Sequence, residues 1–301
     1  MMNKMKDIPV AGYKAMLFFS TIIWGAAFVV MKDAVEILGP AQLVGVRFIL
    51  AGLILGAVFH KKLRKVLTPG GLRAGITMGI ILFVAFWLQT LGLANTTPGK
   101  NAFLTATYCV MVPLIVWMIS RRFPGWSCII AAITCVAGIG LVSVAPGTFG
   151  IGFGDAATLA GAVVFALEII FISRFTKIYS AIGITIIQFL CCGVLGLIFG
   201  FAFEPMPQID AIPASFFADL AYLVLLSSCV CYVCQNVGLA HVPPAQGSLI
   251  LSLESVFGVI CSVLFYGEVL TAQMIVGFIL IFIAILISEL APRRKRSEQT
   301  A

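Results

Sequence analysis

Residues 74–99, 178–203 and 269–288 carry no charged side chain. A helix needs about 20 predominantly apolar residues to cross the hydrocarbon core of a bilayer, and each run supplies them. Inside that core every backbone N–H and C=O must be satisfied within the chain, which a helix does locally. The whole sequence agrees. Of its 301 residues, 61% are hydrophobic and 10% charged, against about 25% charged in a soluble domain. No soluble fold hides that much apolar surface.

Ten spans fit, at roughly 13–31, 42–59, 72–94, 102–120, 126–144, 155–175, 182–203, 216–238, 248–266 and 272–290. The loops between them are short and no soluble domain is inserted. The apolar run after Lys14 is longer than the core of a secretory leader and lacks a clear cleavage site, so it is read as a retained first span. Lys and Arg set the orientation. Sixteen of the 19 fall on one side of the ten-span arrangement: near the N-terminus, at 61–73, at Arg121 and Arg122, at Arg174 and Lys177, and at 293–296. Both termini are therefore expected in the cytoplasm, in a bacterial inner (plasma) membrane. Residues 291–301 read as a basic cytoplasmic tail, a topological anchor or a contact for anionic lipid. The net charge of +7 has the same origin and implies no nucleic-acid partner. The lipid bilayer is the expected surrounding, and oligomeric state is not encoded legibly.

Half-way along, the chain repeats itself. Gln89-Thr90-Leu91-Gly92-Leu93-Ala94-Asn95-Thr96-Thr97-Pro98 returns as Gln235-Asn236-Val237-Gly238-Leu239-Ala240-His241-Val242-Pro243-Pro244, with five identities at an offset of 146. A second register, offset 141, aligns Val46-Arg47-Phe48 with Ile187-Gln188-Phe189. Five spans per copy is an odd number, so the second copy enters the membrane upside down. Arg122 then aligns with Glu268, a cation where the position faces the cytoplasm and an anion where it faces outside. Pro98 and Pro243-Pro244 are expected to end helices on opposite faces. The expected fold is an all-α membrane protein of ten transmembrane helices, arranged as two inverted five-helix repeats. The first repeat occupies 13–145 and the second 153–290, with a glycine-rich join between them. Inverted repeats place a solute site near the midplane and let it face either side by rocking.

Three stretches carry a family resemblance: Ile23-Trp24-Gly25-Ala26-Ala27-Phe28; Ala102-Phe103-Leu104-Thr105-Ala106-Thr107-Tyr108 with Pro113; and Leu253-Glu254-Ser255-Val256-Phe257 with Gly267-Glu268 and Gly277. The chain resembles the EamA branch of the drug/metabolite transporter superfamily over nearly its whole length. Relatives often carry Pro after the glutamate of span nine, where this chain has Ser255. The resemblance implies ten helices and a central cavity lined by spans one to four and six to nine. Spans five and ten would then lie outside.

Charges inside spans are costly, at least about 2.5–3.5 kcal/mol each on insertion scales. Three stand out. Glu254 lies about 15 Å into span nine at 1.5 Å per residue. It is either a proton carrier or solute ligand, or a hydrogen-bonded strut between helices. Ser248, Ser255 and Ser262 share its face at seven-residue spacing, which turns that face inward. Glu168, in span six, is a second candidate for proton coupling; its structural alternative is a pair with Arg174. Arg47, in the outer third of span two, is expected to snorkel outward or to be ion-paired, the alternative being a ligand for a solute carboxylate. Trp24 and Phe28 on one face of span one, Trp87 and Gln89 in span three, and Thr105 and Tyr108 in span four complete the candidate solute-binding set with Glu254 and Ser255. Gly52-x-x-x-Gly56 and Gly196-x-x-x-Gly200 suit close helix packing.

Nothing points to catalysis, a metal or a cofactor. The chain has no Walker A sequence, H-E-x-x-H or G-x-S-x-G. Cys231-x-x-Cys234 has no second such pair and reads as small apolar side chains in a span. The expectation is a secondary transporter for a small organic solute, an amino acid or related metabolite. It works by alternating access, as proton-coupled export or as facilitated diffusion. A channel-like permease, a non-transport scaffold and an intramembrane enzyme are the rivals.

Overall fold

The computed structural model describes residues 9–121, 123–143, 151–207, 212–242, 247 and 250–290. Pro243-Pro244, Ser248, Arg122, most of the glycine-rich join and the tail 291–301 lie outside the described residues. Among those described, every regular element is a helix. Eight are long and apolar enough to cross a membrane: α1 Val10–Val35, α2 Pro40–Val58, α3 Pro69–Ala94, α4 Pro98–Ser120, α5 Trp126–Ser143, α6 Phe153–Phe175, α7 Ala181–Phe203 and α8 Ala214–His241. Two shorter apolar helices follow, α9 Glu254–Tyr266 and α10 Ala272–Leu290. The chain is an integral membrane protein. Its outward surface carries large apolar side chains such as Val58, Ile198 and Phe201, as a lipid-facing surface should.

Local chemistry explains the helix starts. Proline opens α2, α3 and α4, where its missing N–H costs nothing. The Thr68 hydroxyl accepts from the Gly71 amide at 3.2 Å and Ser180 from Gly183 at 3.4 Å. The start of α2 is capped from afar. The Glu204 carboxylate, just past α7, accepts the Ala41 and Gln42 amides at 2.8 and 2.9 Å, placing an anion at the positive end of α2.

Helix α1 runs past the expected end of span one and takes Lys32 with it. The Lys32 ammonium donates to the carbonyls of Leu93, Ala94 and Thr96 at 2.9–3.1 Å. It thereby satisfies the orphan acceptors at the end of α3. Three other helices are irregular. A turn at Thr107 interrupts α4, which also contains Pro113. Residues Tyr222–Val230 of α8 and Ser262–Tyr266 of α9 are π-helical, a geometry that frequently accompanies functional sites.

The helices pair in a definite scheme. Helix α2 packs on α7, α4 on α9, and α5 on α10. Helix α3 packs on α6 and α7, α8 on α1 and α2, α1 on α9, and α4 on α6. Exchanging each helix for the one five places along returns the same set. The α2–α7 crossing is close, because both glycine repeats face it. A Cβ on Gly196 would lie 2.6 Å from the Gly45 Cα, and one on Gly52 would meet Leu190. Beside this crossing sits an aromatic core. Phe48 meets Phe86 and Phe189 edge-on at 4.8 and 4.9 Å, and Phe189 meets Tyr232 at 5.0 Å. Trp126 is 75% exposed beside Trp117 and Phe123, a position suited to a membrane–water interface.

Candidate functional site

A cavity opens between α1, α2, α3, α4, α6, α8 and α9. It offers about 70 Å³ to the centres of water-sized spheres, room for several waters or one small solute group. Its wall is apolar with a few polar groups converging on it, the usual character of a ligand pocket. Trp24, Phe28, Gln89, Thr105, Tyr108, Glu168 and Glu254 all line it.

Two expected members lie elsewhere. Trp87 stacks on Phe83 and meets Phe199 edge-on at 4.9 Å, because its helix face turns toward α7. Ser255 is fully buried and its hydroxyl donates to the Ser252 carbonyl at 2.7 Å. Its one donor is thus used within its own helix turn. Ser262 is likewise engaged, donating to Glu268. Ser255 and Ser262 therefore spend their donors away from the cavity.

Among the described residues each carboxylate has one hydrogen-bond partner. Tyr108 donates its hydroxyl to Glu254 at 3.2 Å. Gln188 donates to Glu168 at 2.8 Å, so the partner is Gln188 on α7 and not Arg174. Gln89 donates to Thr105 at 3.1 Å, and Asn101 to the Gln89 carbonyl at 3.2 Å. These bonds aim α3 and α4 side chains at the cavity and hold the two helices in register.

Arg47 departs most from expectation. It neither snorkels nor pairs with a carboxylate among the described residues; it is 2% exposed and lines the cavity. Its Nε donates to the Ser228 hydroxyl at 2.7 Å and its Nη2 to the Ser227 hydroxyl at 2.9 Å. Its Nη1 faces the Met31 sulfur at 3.2 Å, and the guanidinium lies 5.0 Å from the ring centres of Phe48 and Phe86. Both serines belong to the π-helical part of α8. The Ser227 carbonyl there accepts from the Trp24 indole at 2.8 Å.

The remaining lining residues follow the internal repeat. At offset 141, Trp24, Ala27 and Phe28 correspond to Phe165, Glu168 and Ile169. At offset 146, Phe86, Gln89, Thr105 and Tyr108 correspond to Tyr232, Gln235, Leu251 and Glu254. All fourteen line the cavity, leaving Met31, Arg47 and Ser227 without a lining counterpart. Five of these residues, Phe86, Phe165, Tyr232, Gln235 and Leu251, carry no charge that marks them in sequence. Adding the repeat offset to a candidate already chosen points to Phe165, Gln235 and Leu251, but to neither Phe86 nor Tyr232.

At one end of the bundle the same helices are tied by polar contacts. Lys100 pairs with Asp155 at 3.1 Å, and Thr96 donates to Asp155 at 2.6 Å. The Glu268 carboxylate accepts from Thr97, from Ser262 and, at 3.0 Å, from the Gly99 amide. Pro98 begins α4 within this cluster. Among the described residues no group of three or more His, Cys, Asp or Glu side chains is placed to hold a metal.

The sequence profile of the EamA-like transporter family matches twice, over residues 13–144 and 152–290. An uncharacterized transporter of Archaeoglobus fulgidus is 26% identical over 269 residues, covering 89% of this chain and 83% of that protein. The uncharacterized transporter YvbV of Bacillus subtilis is 25% identical over 295 residues, covering 93% and 92%. One solved crystal structure superposes with a TM-score of 0.69 at 16% identity, over 95% of this chain and 99% of that one; at that identity the likeness concerns the fold alone. With both halves matched, the chain belongs to the EamA-like transporter family and is a membrane transporter.

Proposed function

We propose that this protein is a secondary transporter that carries a small organic solute, an amino acid or related metabolite, by alternating access. In this reading ten transmembrane helices form two inverted repeats, 13–145 and 153–290, with both termini and the basic tail 291–301 in the cytoplasm. One observation carries it: fourteen residues of a single cavity wall form seven pairs at the two repeat offsets. A two-fold axis through the cavity accounts for that. Tyr108 and Glu254, exactly one repeat apart, touch each other, as residues beside such an axis must. The helix pairing scheme, unchanged when each helix is replaced by its counterpart, supports the same axis.

An inverted two-fold makes two states of nearly equal energy available, each closed on one side. The Lys100–Asp155 pair and the Glu268 cluster close one end in this state. Those contacts must separate in the other. Trp24, Phe28, Gln89, Thr105 and Tyr108 form the solute wall. In this reading Glu254 and Glu168 carry the proton; in support, each has one hydrogen-bond partner among the described residues and lines the cavity. The mode proposed is export coupled to proton entry.

The test is exchange. Purified protein is reconstituted in vesicles preloaded with a metabolite mixture, and saturable counter-exchange of labelled amino and keto acids is measured. A carrier shows saturation and acceleration by solute on the far side. Flux that is linear in concentration and unaffected by far-side solute refutes the carrier reading in favour of a channel.

A further inference from the structure

Most lining positions of the cavity wall pair across the repeat, and Arg47, Met31 and Ser227 do not. Arg47 touches both of the others: its guanidinium donates to Ser227 and faces the Met31 sulfur. Arg47 is 98% buried, since only 2% of it is exposed. A guanidinium has five N–H groups and stays ionised in proteins. Among the described residues it has three partners, two hydroxyls and a thioether, and no carboxylate. A buried cation normally sits beside an anion. Here the neutral serines aim the fork without neutralising it, and the π-helical turn of α8 presents two adjacent hydroxyls to it.

We infer that Arg47 is the anchor for a carboxylate on the transported solute, so that the cavity takes small monocarboxylates with an apolar body. This deepens the transporter reading and rests on it. The planar guanidinium matches a carboxylate in two parallel hydrogen bonds. Trp24 and Phe86 supply the apolar surface beside the anchor. Glu168 and Glu254 face the same space, and a second carboxylate on the solute meets them instead of a cation. The site is therefore selective for one negative group per solute.

The probes are matched acid and amide pairs: isovalerate and isovaleramide, phenylacetate and phenylacetamide, leucine and leucinamide, phenylalanine and phenylalaninamide. Binding to the full chain in detergent is read by titration calorimetry and by the shift of the unfolding midpoint. The expected result is that in at least one pair the acid binds at least about tenfold more tightly than its amide, the value of one charge-assisted hydrogen bond over a neutral one. Arg47→Gln removes that preference and Arg47→Lys keeps part of it. Elution volume and unliganded unfolding midpoint report whether each variant folds. If Arg47→Gln does not fold, the paired change Ser227→Ala and Ser228→Ala is used, and it lowers acid affinity without lowering amide affinity. The inference is overturned if no acid binds, if every bound acid and its amide bind alike, or if the acid preference survives in Arg47→Gln. Labelled exchange in vesicles separates the two readings. Acids that bind with the expected preference but never cross defeat the carrier and leave the anchor. Amides that exchange while no acid binds defeat the anchor and leave the carrier.

Discussion

Gly196→Ala tests the close packing of α2 on α7. The added Cβ would lie 2.6 Å from both the Cα and the N of Gly45, and 2.9 Å from the Ala41 carbonyl oxygen. Carbon atoms rest about 3.5–4.0 Å apart, so α2 and α7 must separate by about 1 Å. The contacts are backbone atoms, and no side chain can swing away to make room. Overpacking of this kind costs about 1–3 kcal/mol. Alanine in a helix returns about 0.5–1 kcal/mol over glycine. Gly140→Ala is the control, since a Cβ there meets nothing within 4 Å and only the propensity gain remains. The two variants should therefore differ by about 1–3 kcal/mol, or about five- to more than a hundredfold in the unfolding constant. Denaturant titration of detergent-solubilised protein, followed by tryptophan fluorescence, measures that difference. Equal midpoints for the two variants would refute the close approach of α2 and α7.

Three further outcomes are expected. Glu254→Gln should abolish accumulation driven by a pH gradient while labelled-for-unlabelled exchange survives, because the amide keeps the shape and the Tyr108 contact but cannot titrate; unaltered accumulation assigns Glu254 a strut's role. Glu268→Ala leaves the Thr97 and Ser262 hydroxyls and the Gly99 amide without their shared acceptor. It should cost at least about 1–3 kcal/mol of stability, seen as a lowered thermal midpoint; an unchanged midpoint contradicts the burial of that cluster. In a cysteine-free background, Lys62→Cys should react with a membrane-impermeant maleimide only after the membrane is opened, and Met206→Cys in intact cells; the reverse pattern, or the same pattern at both sites, defeats the proposed topology.

Much of the architecture was legible in the sequence because bilayer physics leaves few options. A run such as 178–203 without a charge has to be a spanning helix, and α7 occupies that stretch. The 146-residue offset relates Gln89 to Gln235 and Tyr108 to Glu254 in the chain, and all four meet at one cavity. Membership of the transporter family was legible too, carried by motifs in both halves. What sequence could not decide was where each polar group spends its hydrogen bonds. Trp87 and Gln89 are two residues apart, yet one packs toward α7 and the other faces the cavity, since helix rotation is set by neighbours. Arg47 looked like a residue for the membrane surface. Only the tertiary structure places two serine hydroxyls of a distant π-helical turn against its guanidinium. That turn is a backbone irregularity of α8 with no composition of its own, and it packs against α1 and α2 of the other half.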